Sequence, residues 1–79
     1  MGTCIALCDL RPGQKGIIEH FFNEALSARL RLQEMGLLPG AWIELVRRAP
    51  WGGPLQIKVG GIFFALRQSE AALLAVRLA

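Results

Sequence analysis

Arg31-Leu32-Gln33-Glu34-Met35-Gly36-Leu37-Leu38-Pro39-Gly40 is the stretch where a helix ends and a series of short strands begins. Gly36 is a helix stop, and Pro39 with Gly40 is a turn. Upstream, residues 23–35 contain neither Gly nor Pro. Asn23 stands where an N-cap belongs and Glu24 suits the positive first turn, so the pattern predicts a helix over residues 23–35. At about 100° per residue, Ala25, Ala28, Leu32 and Met35 share one apolar stripe and Leu26 and Leu30 a second. Ser27, Arg31 and Glu34 are left as a narrow polar face. The first stripe covers a core; the second is either further core or a surface for a partner.

On the N-terminal side of the helix, Pro12, Gly13 and Gly16 mark a turn, and residues 16–22, with Ile17, Ile18 and Phe21, read as a first strand. On the C-terminal side, residues 41–48 alternate Trp42, Glu44, Val46 and Arg48 with Ile43, Leu45 and Arg47, which is strand periodicity. Residues 49–54, Ala-Pro-Trp-Gly-Gly-Pro, form a loop, and residues 55–59 are a strand with one wet face. Gly60-Gly61 is a tight hairpin signal. The next strand, residues 62–67, puts Ile62, Phe64 and Leu66 on one face, while the other carries Phe63 and Ala65 where polar residues are expected. Phe63 is therefore a candidate exposed aromatic. Ser69 and Glu70 open a helical turn, and residues 74–78 return as a closing strand. Five short strands in so short a chain favour a small barrel or half-open sandwich, flanked by the helix, because closure removes sticky edges.

Composition fits a module that binds. With 53% apolar and 19% charged residues, the chain holds more hydrophobes than a core of this size can hide, so some belong on the surface. The net charge of +3 arises from nine Lys and Arg against six acids, with Arg47 and Arg48 the one adjacent basic pair. Neither Tyr nor a Lys-rich strip is present, which argues against a nucleic-acid binder. No segment reaches the roughly 20 apolar residues that span a bilayer, and residues 1–10 lack the marks of a leader, so the expected location is cytoplasmic.

Catalytic chemistry needs a nucleophile, a base and a group that holds developing charge. One His and six singly scattered acids, Asp9, Glu19, Glu24, Glu34, Glu44 and Glu70, do not assemble that set and read as solvated charge. The Gly pairs 52–53 and 60–61 lack the Lys and Ser or Thr of a phosphate loop. Cys4 and Cys8 are too few for a disulfide framework and read as small apolar residues. They form a metal site only as an alternative, with His20 as the third donor.

The segment from Arg31 to Gly40 resembles the signature of FeoA-type domains, an Arg-Leu pair followed by Met-Gly-Leu and then Pro-Gly. In the same order stand Leu10-Arg11-Pro12-Gly13-Gln14-Lys15-Gly16, Arg47-Arg48-Ala49-Pro50 with Gly53-Pro54, Gly60, Leu66-Arg67 and Glu70-Ala71. The resemblance covers roughly residues 7–76, so a single domain over residues 1–79 is expected. It implies a mostly β, small SH3-like barrel of about five strands, with one α-helix inserted after the first. It also implies a non-catalytic cytosolic accessory protein of ferrous iron uptake, without cofactor. The partner would be the membrane transporter ferrous iron transport protein B (FeoB), docked and modulated through its GTP-binding cytosolic region. The small protein would meet the inner membrane only through that partner. FeoA-type domains also end iron-dependent repressors, but no helix-turn-helix segment precedes this one, so a DNA-binding role is not expected. Candidate partner contacts are Leu26, Leu30, Arg31, Trp51 and Phe63, an aromatic, Leu and Arg set of the kind that carries binding energy. The alternative function is transition-metal delivery or sensing through Cys4, Cys8 and His20. An edge strand or the free helix stripe offers a further contact, between copies of the chain.

Overall fold

Each alternating segment becomes a strand, and the strands join in one antiparallel sheet. The structure, a computed structural model, describes residues 4–22 and 26–79. In chain order the elements are β1 (Cys4–Ala6), a 3-10 turn (Leu7–Asp9), β2 (Lys15–Phe21), α1 (Leu26–Glu34), β3 (Trp42–Arg48), β4 (Leu55–Val59), β5 (Ile62–Leu66), α2 (Gln68–Ala71) and β6 (Leu74–Leu78). The helix start expected at Asn23, with Glu24 and Ala25, lies outside the described residues, as does the side chain of Leu26.

The sheet has six strands in the order β1-β6-β2-β3-β4-β5, where five were expected, and α1 follows the second strand rather than the first. The added strand is β1. Cys4, Ile5 and Ala6 pair with Arg77, Val76 and Ala75 at the far end of the chain. Three residues are too few to show alternation, so only the pairing defines them as a strand. β1 and β5 are the two ends of the sheet, and among the described residues no ladder joins them. The expected barrel is thus a six-stranded sheet without ladder closure. Bulges between Ile18 and His20 and between Leu45 and Arg47 bend β2 and β3.

The core draws on Ile18, Ile43, Leu45, Leu55, Ile57, Leu66, Leu74 and Val76 from the strands, and on Leu7 and Leu10 beside β1. α1 adds Leu32, with Ala28 and Met35 half-buried along the expected stripe. The helix exit is built as its sequence indicates. The Gly36 N–H donates to Gln33 O and the Leu37 N–H to Leu32 O, at 3.0 and 3.1 Å, with Gly36 at φ 87°. This pair of bonds is the Schellman arrangement, and the buried Leu32 and Leu37 make its apolar contact. The turn at Pro39 then docks on β2, where Gly40 N–H donates to Ile18 O and Ala41 O accepts from Ile18.

Two expectations change here. Ile62, assigned to the inner face with Phe64 and Leu66, is 59% exposed, because it lies at the hairpin tip, past the end of the core. Glu70, read as a solvated charge, is buried. Its Oε1 accepts the Arg67 backbone N–H at 3.0 Å and caps α2, and its Oε2 pairs with Arg31 Nη1 at 3.0 Å. Glu19 is also ion-paired, with Arg77 on the neighbouring strand.

Candidate functional site

The loop between β3 and β4 carries the most exposed large hydrophobic side chain among the described residues. Trp51 is 97% exposed and has φ 55°, in the left-handed region. A non-glycine residue there costs on the order of 1–2 kcal/mol. Burial of the indole does not repay that cost, since almost none of it is buried. The turn closes through Ala49 N–H to Pro54 O and Gly53 N–H to Pro50 O, bonds that Trp51 does not make.

Phe63, on the outer face of β5, is 54% exposed, as the alternation implied, and Lys58 lies over its ring at 5.5 Å from the centroid. An open groove connects it with the loop: Ala49 and Pro54 form one wall, Phe63 and Ala65 the other, and Arg47 and Gln56 lie between. The loop's other flank meets α2, where a Cβ placed on Gly52 would lie 3.8 Å from Gln68 Nε2. From α2, Glu70 reaches Arg31 of α1. Three of the five expected contact residues, Arg31, Trp51 and Phe63, therefore lie on elements joined around α2 and the groove. Arg31, 57% exposed at its side chain, is partly committed to Glu70.

Leu30 is on the solvent face of α1, together with Ser27, Arg31 and Glu34, so it is not part of the core. Leu26 opens α1. Sequence reasoning missed Phe22, Leu38, Trp42, Ile62 and Leu78 as exposed hydrophobics. For Trp42 the signal was present: it alternates with buried Ile43 and Leu45, so it must face outward.

Arg48, the second member of the basic pair, turns inward. Its Nη2 donates to Cys8 O and, at 2.6 Å, to Leu10 O. It thereby ties the end of β3 to the segment after β1, across the part of the sheet that no ladder closes. The metal alternative finds its donors apart. Cys8 packs against the core, whereas Cys4 precedes the core-packed Ile5 on β1 and takes the opposite face. His20 is exposed, edge-on to Phe22 at 5.4 Å. Among the described residues no group of three or more His, Cys, Asp and Glu is placed to hold a metal. Burial pushes the Cys8 thiol up, and the Asp9 carboxylate adds to the shift. No helix of the described residues is long and apolar enough to cross a membrane.

The family model for the FeoA domain matches residues 5–78. Among solved structures, an iron uptake regulatory protein described as FeoA is 36% identical with a TM-score of 0.88, over 98% of this chain and 100% of that one. The FeoA of Stenotrophomonas maltophilia, solved with zinc, is 31% identical with a TM-score of 0.78, over 91% of this chain and 88% of its own. That protein is described as a prokaryotic SH3 domain protein and a candidate ferrous iron transport activating factor. A manganese-dependent transcriptional repressor superposes with a TM-score of 0.90 over 100% of this chain and 44% of its own, but at 13% identity the likeness is one of fold alone.

Proposed function

The chain belongs to the FeoA domain family, and from that premise we propose that it is a non-catalytic cytoplasmic accessory protein of ferrous iron uptake, which docks to the GTP-binding cytosolic region of FeoB and modulates that transporter. The family and its solved relatives connect it with ferrous iron transport. The observation that carries the docking reading is Trp51. An indole 97% exposed, held at a φ that glycine would adopt at no cost, adds nothing to the fold that explains its presence. It suits a role outside the fold, as an aromatic anchor for a partner. Phe63 across the groove, with Arg47 between, extends the contact. The exposed Leu30 belongs to its outer margin on α1, Leu26 at the start of that helix is kept as a further candidate contact, and Arg31 contributes by holding α2 through Glu70 as well as by its own charge.

The test is binding of the purified chain to the cytosolic domain of FeoB from the same organism, with GDP, with a GTP analogue and with neither. Saturable, nucleotide-dependent binding that weakens in Trp51→Ala and Phe63→Ala supports the proposal. If alanine at Trp51, Phe63 and Arg31 together left transporter capture and iron uptake unchanged, this surface would be the wrong one.

The alternative, metal delivery, draws on the zinc found with the S. maltophilia relative. Here it would need Cys4, Cys8 and His20 to converge, although among the described residues no three such donors are placed to hold a metal. Equilibrium dialysis with ferrous iron and with zinc under reducing conditions separates the readings: stoichiometric uptake lost in Cys4→Ser would favour it.

A further inference from the structure

β5 ends the sheet, and its free side has a definite pattern of backbone groups. The two-residue turn Gly60-Gly61 makes Val59 and Ile62 a hydrogen-bonded pair. Alternation along an antiparallel ladder then makes Ile57 with Phe64, and Leu55 with Leu66, hydrogen-bonded pairs as well. The residues between, Phe63 and Ala65, therefore turn their N–H and C=O groups away from β4. Among the described residues no other backbone bond takes these groups up. Edge strands are usually protected by a Lys, a Pro or an inward charge. Ile62-Phe63-Phe64-Ala65-Leu66 contains none of these, and Ile62, Phe63 and Ala65 are exposed.

We infer that β5 pairs antiparallel with β5 of a second copy of this chain, about a two-fold axis at Phe64. In that register Phe63 of each copy faces Ala65 of the other, and these are the residues whose N–H and C=O are free. Each facing pair exchanges two bonds, and symmetry doubles the set to four. A large ring lies over a small methyl on the outer face, so the side chains fit without a clash. Neighbouring registers do worse. Centring on Phe63 sets Ala65 opposite Gly61, which is in the turn at φ 81° and is not extended. Centring on Ala65 sets Phe63 opposite Arg67, whose N–H is already taken by Glu70 Oε1 at 3.0 Å. The match lies within the strand itself, which is what favours a second copy over an unrelated chain. The net charge of +3 per copy opposes the pairing weakly, and added salt screens it. Self-pairing does not depend on whether the chain binds FeoB; where both occur, they compete for Phe63.

Sedimentation equilibrium from micromolar to millimolar protein tests the pairing. The expected result is a mass rising from 8.7 kDa toward twice that value, with association no weaker at high salt. In Ala65→Pro the lost N–H is one that points away from β4, so the β4–β5 ladder survives, two of the four interchain bonds go, and the dimer weakens about tenfold or more. F63K and A65E, each alone, also disrupt the dimer, and F63K/A65E restores it, because the new ammonium of each copy then faces the new carboxylate of the other. Thermal melts of each variant establish that it is folded. A wild-type chain that stays at 8.7 kDa throughout overturns the inference, as does a dimer indifferent to Ala65→Pro. A dimer lost in Leu30→Lys but kept in Ala65→Pro would assign the contact to α1 and overturn it too.

Discussion

Replacing Arg48 by Met keeps most of the apolar stem and removes the guanidinium that bridges Cys8 O and Leu10 O. Hydrogen bonds from a charged donor contribute about 1.5–3 kcal/mol each. Here one nitrogen makes both, and the side chain is only half-buried, so the pair is worth less than the sum, about 2–3 kcal/mol. A chain of this size has about 4–12 kcal/mol of stability in all, so the loss is a large fraction. At about 4–8 °C per kcal/mol, the melting temperature falls by about 10–20 °C. The assay is urea unfolding of wild type and Arg48→Met, with Arg47→Met as control, since Arg47 is exposed and its loss costs within about 0.5 kcal/mol. Hydrogen exchange adds position: amides of β1 and of the turn Leu7–Asp9 lose protection first, because Arg48 is what ties that segment to β3. An Arg48→Met loss below about 1 kcal/mol, or one no larger than that of Arg47→Met, would refute the account of how this part of the sheet is held.

Three further outcomes follow from the same geometry. A Cβ on Gly16 would lie 2.5 Å from both Arg77 O and Val76 Cγ1, and the carbonyl is fixed in the β2–β6 ladder, so Gly16→Ala destabilises by about 3 kcal/mol in denaturant unfolding. Trp51→Gly relieves the left-handed strain at about the entropic cost of a glycine, so the melting temperature stays level or rises, while affinity for the FeoB cytosolic domain, measured by calorimetry, falls about tenfold or more. The Cys8 thiol is raised in the fold by burial and by Asp9, so the folded chain holds that proton longer than the unfolded one. Its contribution to stability is complete at neutral pH and is lost as pH climbs from the ordinary thiol value of 9.0 through the raised one; stability measured against pH in that alkaline range flattens in Cys8→Ala.

The legible parts of this protein are those whose cause is local. Gly36 ends α1, Pro39 and Gly40 turn the chain, and Gly60-Gly61 closes a hairpin, each through bonds between residues a few positions apart. Alternation marked β3, β4 and β5 to within a residue, and it marked Phe63 as exposed, because a side chain's face on a strand is fixed by parity alone. The surplus of hydrophobes pointed to an exposed apolar surface, of which alternation located Phe63.

What the sequence left open is what depends on residues far apart in the chain. β1 is a strand because Ile5 meets Val76, and three residues carry no periodicity that would announce it. Glu70 resembles any isolated acid until α1 brings Arg31 within 3.0 Å of it. Of the adjacent arginines Arg47 and Arg48, the bulge after Leu45 and the pairing with β4 leave one in solvent and turn the other onto the carbonyls of Cys8 and Leu10. Whether Leu30 was core or surface depended on which stripe of α1 the sheet would cover, and Leu32 took that place. Local chemistry therefore determined where the chain turns and which residues alternate, because those follow from backbone sterics within one or two turns. The tertiary structure alone decided which charges are buried, which strands stand at the edges and which stripe of α1 is covered, because each follows from a contact between segments that only folding brings together.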